Sequence, residues 1–419
     1  MVLWRTLRLT LRSVLSDSST AFAPPNPLLV LNLVAQIGFG LLAMTICLPS
    51  MQEWGSLFGA DQSRVQLTFS SYLVAYGSLQ LVYGPMSDRF GRKSILMFGL
   101  LLAGIGSVLA ALATDLDGLT AARILQGGGT AAGMVAGRAM VQDLFPGSQR
   151  TRVMAYVGMA TGLCPPIATL VGGQIHVRLG WQANFVLMAV LSALLLLWAW
   201  LGLPARPDRP PARTHWIGDM FRAYAQLARE PAFLMNVAVL SMTVATFYAF
   251  LSGAPIVLRS YGVGPADIGW YIMTVPLSFI VGNFLTSRLN HRFGDRRMMA
   301  LGQASTVAGI GLMLALGLAG LKTPLAFCLP LMLLGIGHGL LLPACLAGAV
   351  GQVPRLAGAA AAVAGVAQQL MGALGGYTVG WVPHDGSVNL ALLMMGFTLA
   401  AIAAQTVLHR QILPARRPG

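Results

Sequence analysis

Apolar residues fill the chain in runs of about twenty, the length a helix needs to cross a hydrocarbon layer of about 30 Å. Short polar stretches separate the runs, which fall near 28–50, 66–86, 95–113, 119–141, 153–175, 182–203, 232–256, 267–287, 298–318, 325–348, 357–379 and 389–410. Apolar and polar residues do not alternate within a run, so the dyad signature of a membrane β-barrel is missing. The pattern predicts an all-α membrane protein with twelve transmembrane helices. Its longest interruption is "PARPDRPPARTHWIGDMFRAYAQLARE", residues 204–230. Proline and arginine lead there and a mildly amphipathic stretch follows, which predicts a linker ending in a surface helix. The expected organisation is a cytoplasmic tail over 1–27, a six-helix bundle over 28–203, a cytoplasmic linker over 204–231, a second six-helix bundle over 232–410 and a tail over 411–419.

Composition agrees with this reading. Charged residues make up 10% and hydrophobic residues 56% of the chain, with mean hydropathy +0.71, against about 25% charged residues in soluble domains. The net charge of +14 is explained by its placement. Arg89, Arg92, Lys93, Arg150, Arg152, Arg222, Arg229, Arg288, Arg292, Arg296, Arg297, Arg355 and Arg410 fall on one side with the arginines of the tails and linker. Arg64, Arg178, Arg259 and Lys322 fall on the other. This bias puts both termini in the cytoplasm, and nucleic acid is not needed as a partner. The N-terminal "MVLWRTLRLTLRSVLSDSS" lacks a clean apolar segment and a cleavage site, so it is expected to be a cytoplasmic tail rather than a signal peptide. Cys47, Cys164, Cys328 and Cys345 all fall inside spans, without a CxxC or a nearby pair of histidines. They are expected to be apolar packers, with no metal and no cofactor.

One turn is unusually charged. "GPMSDRFGRKS", Gly84 to Ser94, sits between two apolar runs and is echoed by "HRFGDRR" at 291–297; Gly91 and Gly294 are 203 positions apart, about half the chain. Such an echo is the trace of two parallel six-helix repeats, an arrangement associated with alternating access. The stretch resembles motif A of the major facilitator superfamily. Gly84 is expected to let two helices approach closely, Asp88 to cap a neighbouring helix, and Gly91 to permit the tight turn. Arg89, Arg92 and Lys93 are expected to hold the loop in the cytoplasm. The resemblance implies that Asp88 and Arg92 latch the two halves when the protein is open to the outside.

Two further motifs follow. "LTAARILQGGGTAAG", 119–133, resembles motif B of proton-coupled members: Arg123 inside a span, then Gln126 and Gly127. A charge in hydrocarbon is costly and usually faces a cavity, which reads as a relay or gating charge. "GMATGLCPPIATLVGGQ", 158–174, resembles motif C, which marks exporters; Gly158, Gly162, Gly172 and Gly173 are expected to form a smooth face, and Pro165 to kink the helix. Thr169 stands where that motif often has another proline. "GRAMVQDLFPGSQR", "GWQANF" and "FYAFLSGAPIVL" resemble the bicyclomycin and chloramphenicol exporter subgroup, Bcr/CflA. This implies a monomeric drug-efflux antiporter of a bacterial inner membrane, carrying small amphiphiles out and protons in.

The chain departs from the subgroup at one position: Thr45 stands where an aspartate is usual. The 13 acidic residues all fall at span ends or in loops, whereas buried carboxylates are the usual proton carriers. Coupling through His338, through Asp143, or no coupling at all, remain as alternatives, and Arg123 and Arg138 favour neutral or anionic substrates. Helical facing proposes Gln36, Met44, Tyr72, Tyr76, Arg138, Tyr248, Phe250, Asn283, His338, Gln368, Gln369 and Tyr377 as cavity residues. A dedicated exporter of one endogenous metabolite, such as a siderophore or antibiotic, is the alternative function. No convergent nucleophile and base appear, so an enzyme is not expected.

Overall fold

The computed structural model describes residues 26–204, 216–383 and 386–412. The expected tails, apart from a few flanking residues, and the Pro/Arg-rich part of the linker lie outside the described residues. The chain is helical nearly throughout: α1 (Pro27–Thr45), α2 (Met51–Leu57), α3 (Gln62–Phe90), α4 (Arg92–Ala111), α5 (Leu116–Leu144), α6 (Gly147–Leu179), α7 (Gln182–Gly202), α8 (Trp216–Ala228), α9 (Pro231–Ser260), α10 (Ile268–Ile272), α11 (Thr274–Leu318), α12 (Pro324–Gly351), α13 (Ala357–Thr378) and α14 (Val388–Val407). No strand occurs among the described residues. Local chemistry sets several starts. Asn26 accepts a hydrogen bond from the Leu28 amide ahead of Pro27, and Asp115 caps α5 through the Gly118 amide. The amphipathic end of the linker is helical, as α8.

Nine helices among the described residues are long and apolar enough to cross a membrane. α3 and α5 fall short because their inward faces carry Gln66, Thr68, Arg123, Gln126 and Thr130, all buried. α11 is bent in the middle by Gly294, whose φ of 75° and ψ of 161° interrupt the helix. With that break and those two helices counted, the described residues hold twelve long helical segments.

The repeat seen in the charged turn extends through the packing. Gly91 has φ 93° and ψ 141°, close to Gly294, in the region open chiefly to glycine. Arg89 lies over Phe90 at 5.5 Å, and 203 positions later Arg292 lies over Phe293 at 5.8 Å. A methyl at Gly129 of α5 would collide with the Gly99 carbonyl and Ala103 nitrogen of α4. One at Gly337 of α12 would collide with the Gly302 carbonyl and Thr306 nitrogen of α11. Lipid tails are as apolar as leucine, so helices in a membrane associate through such close backbone contact. Around these pairs α3, α4, α5 and α7 pack in the first half, and α9, α12, α13 and α14 in the second. The halves meet where α3 lies on α13 and where α6 lies on α10 and α11.

Candidate functional site

At the charged turn, Arg92 is a hub. Its guanidinium pairs with Asp88 at 2.5 Å and with Asp143 at 3.5 Å, and donates to Ser87 Oγ at 2.5 Å. These partners all belong to the first half. Asp143 is therefore tied to a base of this turn. Lys93 Nζ donates to the Trp200 and Leu203 carbonyls, both at 2.7 Å, so it closes the C-terminus of α7, where the helix dipole favours a cation. Gly84 is a correction. A methyl there would meet nothing within 4 Å, so no neighbouring helix approaches it in this structure. Gly84→Ala is expected to keep full transport and to gain stability by about 0.5–1 kcal/mol, because alanine is the better helix former; paired transport and thermal-unfolding measurements check both.

Arg123 is completely buried in α5. Its Nη1 donates to the Ala43 carbonyl at 2.8 Å and to Gln126 Oε1 at 2.5 Å, and its Nη2 to the Met44 carbonyl at 3.2 Å. The guanidinium also lies over the Tyr72 ring, 4.2 Å from its centroid. Ala43 and Met44 belong to the last turn of α1, whose carbonyls have no intrahelical donor and carry partial negative charge. The charge is thus met by a helix end and an aromatic face, not by a carboxylate. Gln126 passes the contact on to Ser107 Oγ at 2.8 Å, and Tyr72 Oη bonds to the Gly40 carbonyl and Thr130 Oγ, both at 2.7 Å. Gly127, pressed against the Tyr72 carbonyl, is what lets α5 come this close to α3. Thr45 donates to the Leu41 carbonyl at 2.9 Å and the Pro165 carbonyl at 3.4 Å, joining α1 to α6.

The proposed cavity residues separate into groups. Tyr72 and Tyr76 stack at 6.0 Å. Tyr248 reaches Met44 Sδ at 3.7 Å and Gln369 Oε1 at 3.4 Å, and thereby spans the two halves. Arg138 is exposed although it lies inside α5. The others are placed elsewhere. Gln36 bonds Asn32 and the Leu195 carbonyl, both at 3.0 Å, tying α1 to α7. Phe250 is fully buried and stacks on Phe327. Gln368 bonds back to the Ala364 carbonyl of its own helix. The Asn283 backbone packs on Gly339. Tyr377 contacts Trp381 and lines a crevice of about 570 Å³ between α3 and α13. His338 is buried in α12, and its Nε2 has no hydrogen-bond partner among the described residues.

In α6 the four glycines of the third motif are not equivalent. A methyl at Gly172 would overlap the Ile46 carbonyl, and one at Gly173 the Pro265 carbonyl. At Gly162 it would make ordinary contact with Ile280 at 3.7 Å, and at Gly158 it would meet nothing within 4 Å. The smooth face is therefore confined to one end of the helix. Pro165 lies within a continuous α6.

The family model of the Major Facilitator Superfamily matches residues 28–376 and again 237–418. The chain belongs to this superfamily. It is similar to the multidrug resistance protein D of Escherichia coli, 28% identical over 374 residues that cover 87% of this chain and 92% of that protein. The chloramphenicol resistance protein of Pseudomonas aeruginosa is 27% identical, with 85% and 86% covered. The bicyclomycin resistance protein homolog of Haemophilus influenzae is 26% identical, with 88% and 92% covered. These relatives agree with the Bcr/CflA resemblance. Among solved structures, the crystal structure of a D-xylose–proton symporter superposes with a TM-score of 0.71 at 16% identity, over 91% of this chain and 97% of that one. The fold is accordingly that of a major facilitator transporter, and the protein is a multi-pass membrane transporter.

The transporter also has a polar seal that sequence patterning missed. Gln52 of α2 donates to the Pro255 carbonyl at 2.5 Å, and Arg259 bonds back to the Gln52 carbonyl. Gln66 of α3 donates to the Ser252 carbonyl at 3.2 Å, and Ser252 Oγ bonds to both Gln66 and the Gly376 carbonyl. Gln174 donates to the Ala266 carbonyl at 3.1 Å. Every one of these bonds between the first-half and second-half residues lies at the end of the bundle that carries α2. Glu53 and His176, 3.1 Å apart, tie α2 to α6 at the same end.

Proposed function

We propose that the protein is a secondary active exporter of small amphiphilic compounds, a multidrug efflux transporter of a bacterial inner membrane with both termini in the cytoplasm. The observation that carries this is the contact face of Gly172 and Gly173 in the exporter motif, set beside drug-resistance relatives that cover nearly the whole chain. In this reading the two halves rock about a central site. The charge bias places the α2 end outside, so the sealed state described above is closed to the exterior. Efflux assays across a chemically broad drug panel in expressing cells test the multidrug reading; unchanged efflux of every compound would remove it.

Proton antiport is the proposed coupling, and its carrier is the open chemical question. Every Asp and Glu of the described residues lies at a helix end, in the short α2, in the surface helix α8 or in a turn. That observation favours a second reading, a dedicated exporter or facilitator without carboxylate-based coupling. His338 is the titratable side chain buried within the second half that could take the role. Counterflow in proteoliposomes with and without a pH gradient separates the readings. The expected result is a weak gradient effect that disappears in His338→Ala. Strong gradient-driven transport that survives this substitution would overturn the assignment.

A further inference from the structure

The crevice between α3 and α13 is a trough. α3 contributes Leu67, Ser70, Ser71, Val74, Ala75 and Ser78 to it, and α13 contributes Leu370, Ala373, Leu374 and Tyr377. Each set recurs every three or four residues, so each is one face of its helix. On α3 the half-buried positions Ser71, Ala75 and Ser78 are small. The lips, Leu67, Val74, Ile124, Leu370 and Leu374, are large, apolar and 40–48% exposed. The trough therefore faces out of the bundle, into the membrane. From Leu67 to Ser78 it runs about 16 Å along α3 at 1.5 Å per residue. One leaflet supplies about half of a hydrocarbon core of about 30 Å. α3 starts at Gln62 and has 29 residues, so the trough begins near its α2 end and stops close to its middle. At the α2 end stands Tyr377, edge-on to the exposed Trp381, the kind of aromatic pair that marks a membrane–water interface. The trough also lies on the seam between the halves. α3 meets α13 where a methyl at Gly77 would strike Gln369, and it meets the turn after α13 where one at Gly380 would strike the Ser63 backbone. Gln66 and Gly376, joined through Ser252 in the seal, are the chain neighbours of Leu67 and Tyr377.

We infer that the trough seats one acyl chain of a phospholipid from the leaflet on the α2 side, and that this chain holds the two halves in the sealed state. An apolar trough left empty forfeits dispersion contacts along both walls. The chains of that leaflet lie against its open side at the matching depth and length. The lining is almost wholly apolar, so nothing polar is desolvated when a chain enters. A seated chain touches α3 of the first half and α13 of the second. Opening the α2 end parts those two helices and gives up one wall. The chain therefore binds the sealed state better and shifts the equilibrium toward it. The inference rests on the proposed rocking of the two halves and makes a membrane lipid its regulator.

The test uses the full chain in phosphatidylcholine vesicles. A phosphatidylcholine with a diazirine in mid-chain probes the site. Its photo-crosslinks, mapped by mass spectrometry, are expected on the trough faces of α3 and α13. They should exceed those at the lipid-facing Leu399 of α14 by at least about threefold. Ala75→Phe fills the trough from α3 and should remove them; Ala75→Leu is the milder variant if the first does not fold. Maleimide labelling of a cysteine placed at Gln52 reads the seal. It should rise at least about threefold when dioleoyl lipid is replaced by diphytanoyl lipid, whose side methyls widen the chain. In Ala75→Phe labelling should be low in both lipids, and Leu399→Phe should respond as the wild type does. Crosslinks no more frequent in the trough than at Leu399 overturn the site. Trough crosslinks with labelling that ignores the lipid but rises in Gly173→Val overturn its hold on the seal. Labelling that rises in neither case overturns the rocking as well. Crosslinks between two copies, or lipid crosslinks displaced by an exported drug, give the trough to a second copy or to cargo and overturn its assignment to lipid. A lipid response of the labelling with no drug exported supports the inference, and the failure then belongs to the exporter reading.

Discussion

Gly173→Val will abolish transport, whereas Gly158→Val will leave it within about twofold of wild type, the spread of an ordinary exposed substitution. Both glycines belong to the same motif on the same helix. A Cβ at Gly173 would overlap the Pro265 carbonyl oxygen across the seam and press on its carbonyl carbon at 3.2 Å. Those are backbone atoms just before α10, and they cannot turn aside as a side chain can. Overpacking of this kind costs about 1–3 kcal/mol. A shift of about 1.4 kcal/mol already changes a two-state equilibrium tenfold, so the sealed state would become a minor one. The overlap is confined to the seam, so the protein should fold normally. Maleimide labelling of a cysteine placed at Gln52 should accordingly rise in Gly173→Val, because Gln52 is held in the seal by Pro255 and Arg259. Gly158 is exposed with nothing near it, so its variant is the matched control. Full transport in Gly173→Val, or equal loss in both variants, would show that the seam is not where the motif acts.

The contrast between those two glycines shows what residue order can convey. A recurring charged turn was legible because Gly91 and Gly294 both need a backbone region closed to most residues, and such positions leave a strong mark. The packing echo of Gly99 and Gly129 with Gly302 and Gly337 was equally present in the chain. It was hidden among 49 glycines, since close approach depends on what stands opposite. Arg123 was legible as a buried charge. Its acceptors were not, because the carbonyls of Ala43 and Met44 are backbone groups that every residue owns. The seal was missed for a related reason: Gln52, Gln66 and Ser252 are ordinary polar residues of α2, α3 and α9, and only the fold brings them across the seam. Phe250 erred in the other direction. Helical facing distinguishes inside from outside, yet a helix in a bundle has several inside neighbours, and Phe250 stacks on Phe327 instead of facing the centre.

Arg123→Met will leave the protein folded and remove transport. The stability side follows from opposing terms of similar size. The substitution strands the Ala43 carbonyl and Gln126 Oε1, each at a cost of about 1–3 kcal/mol, leaves the Met44 carbonyl to the Cys47 thiol, and gives up a desolvated cation–π contact worth about 2 kcal/mol. It also removes the burial penalty of an ion, several kcal/mol in real proteins, and the flexible methionine fills the space. The sum is a modest shift in Tm. The functional side is not balanced in this way. Arg123 holds the last turn of α1, and the chain runs directly from that turn through Pro49 into α2, where Gln52 crosses to Pro255. The buried charge and the seal are therefore two ends of one short lever, and loss of the charge frees the end of α1 from α5. Arg123→Lys keeps the charge but replaces the planar fork by a single ammonium centre. It cannot serve both carbonyls and Gln126 as the guanidinium does, so transport should fall to an intermediate level. Counterflow and thermal unfolding measured on the same purified preparations separate the outcomes. Wild-type transport in the methionine variant would reduce Arg123 to a packing residue. Unfolding of the methionine variant alongside a stable, active lysine variant would make its charge structural.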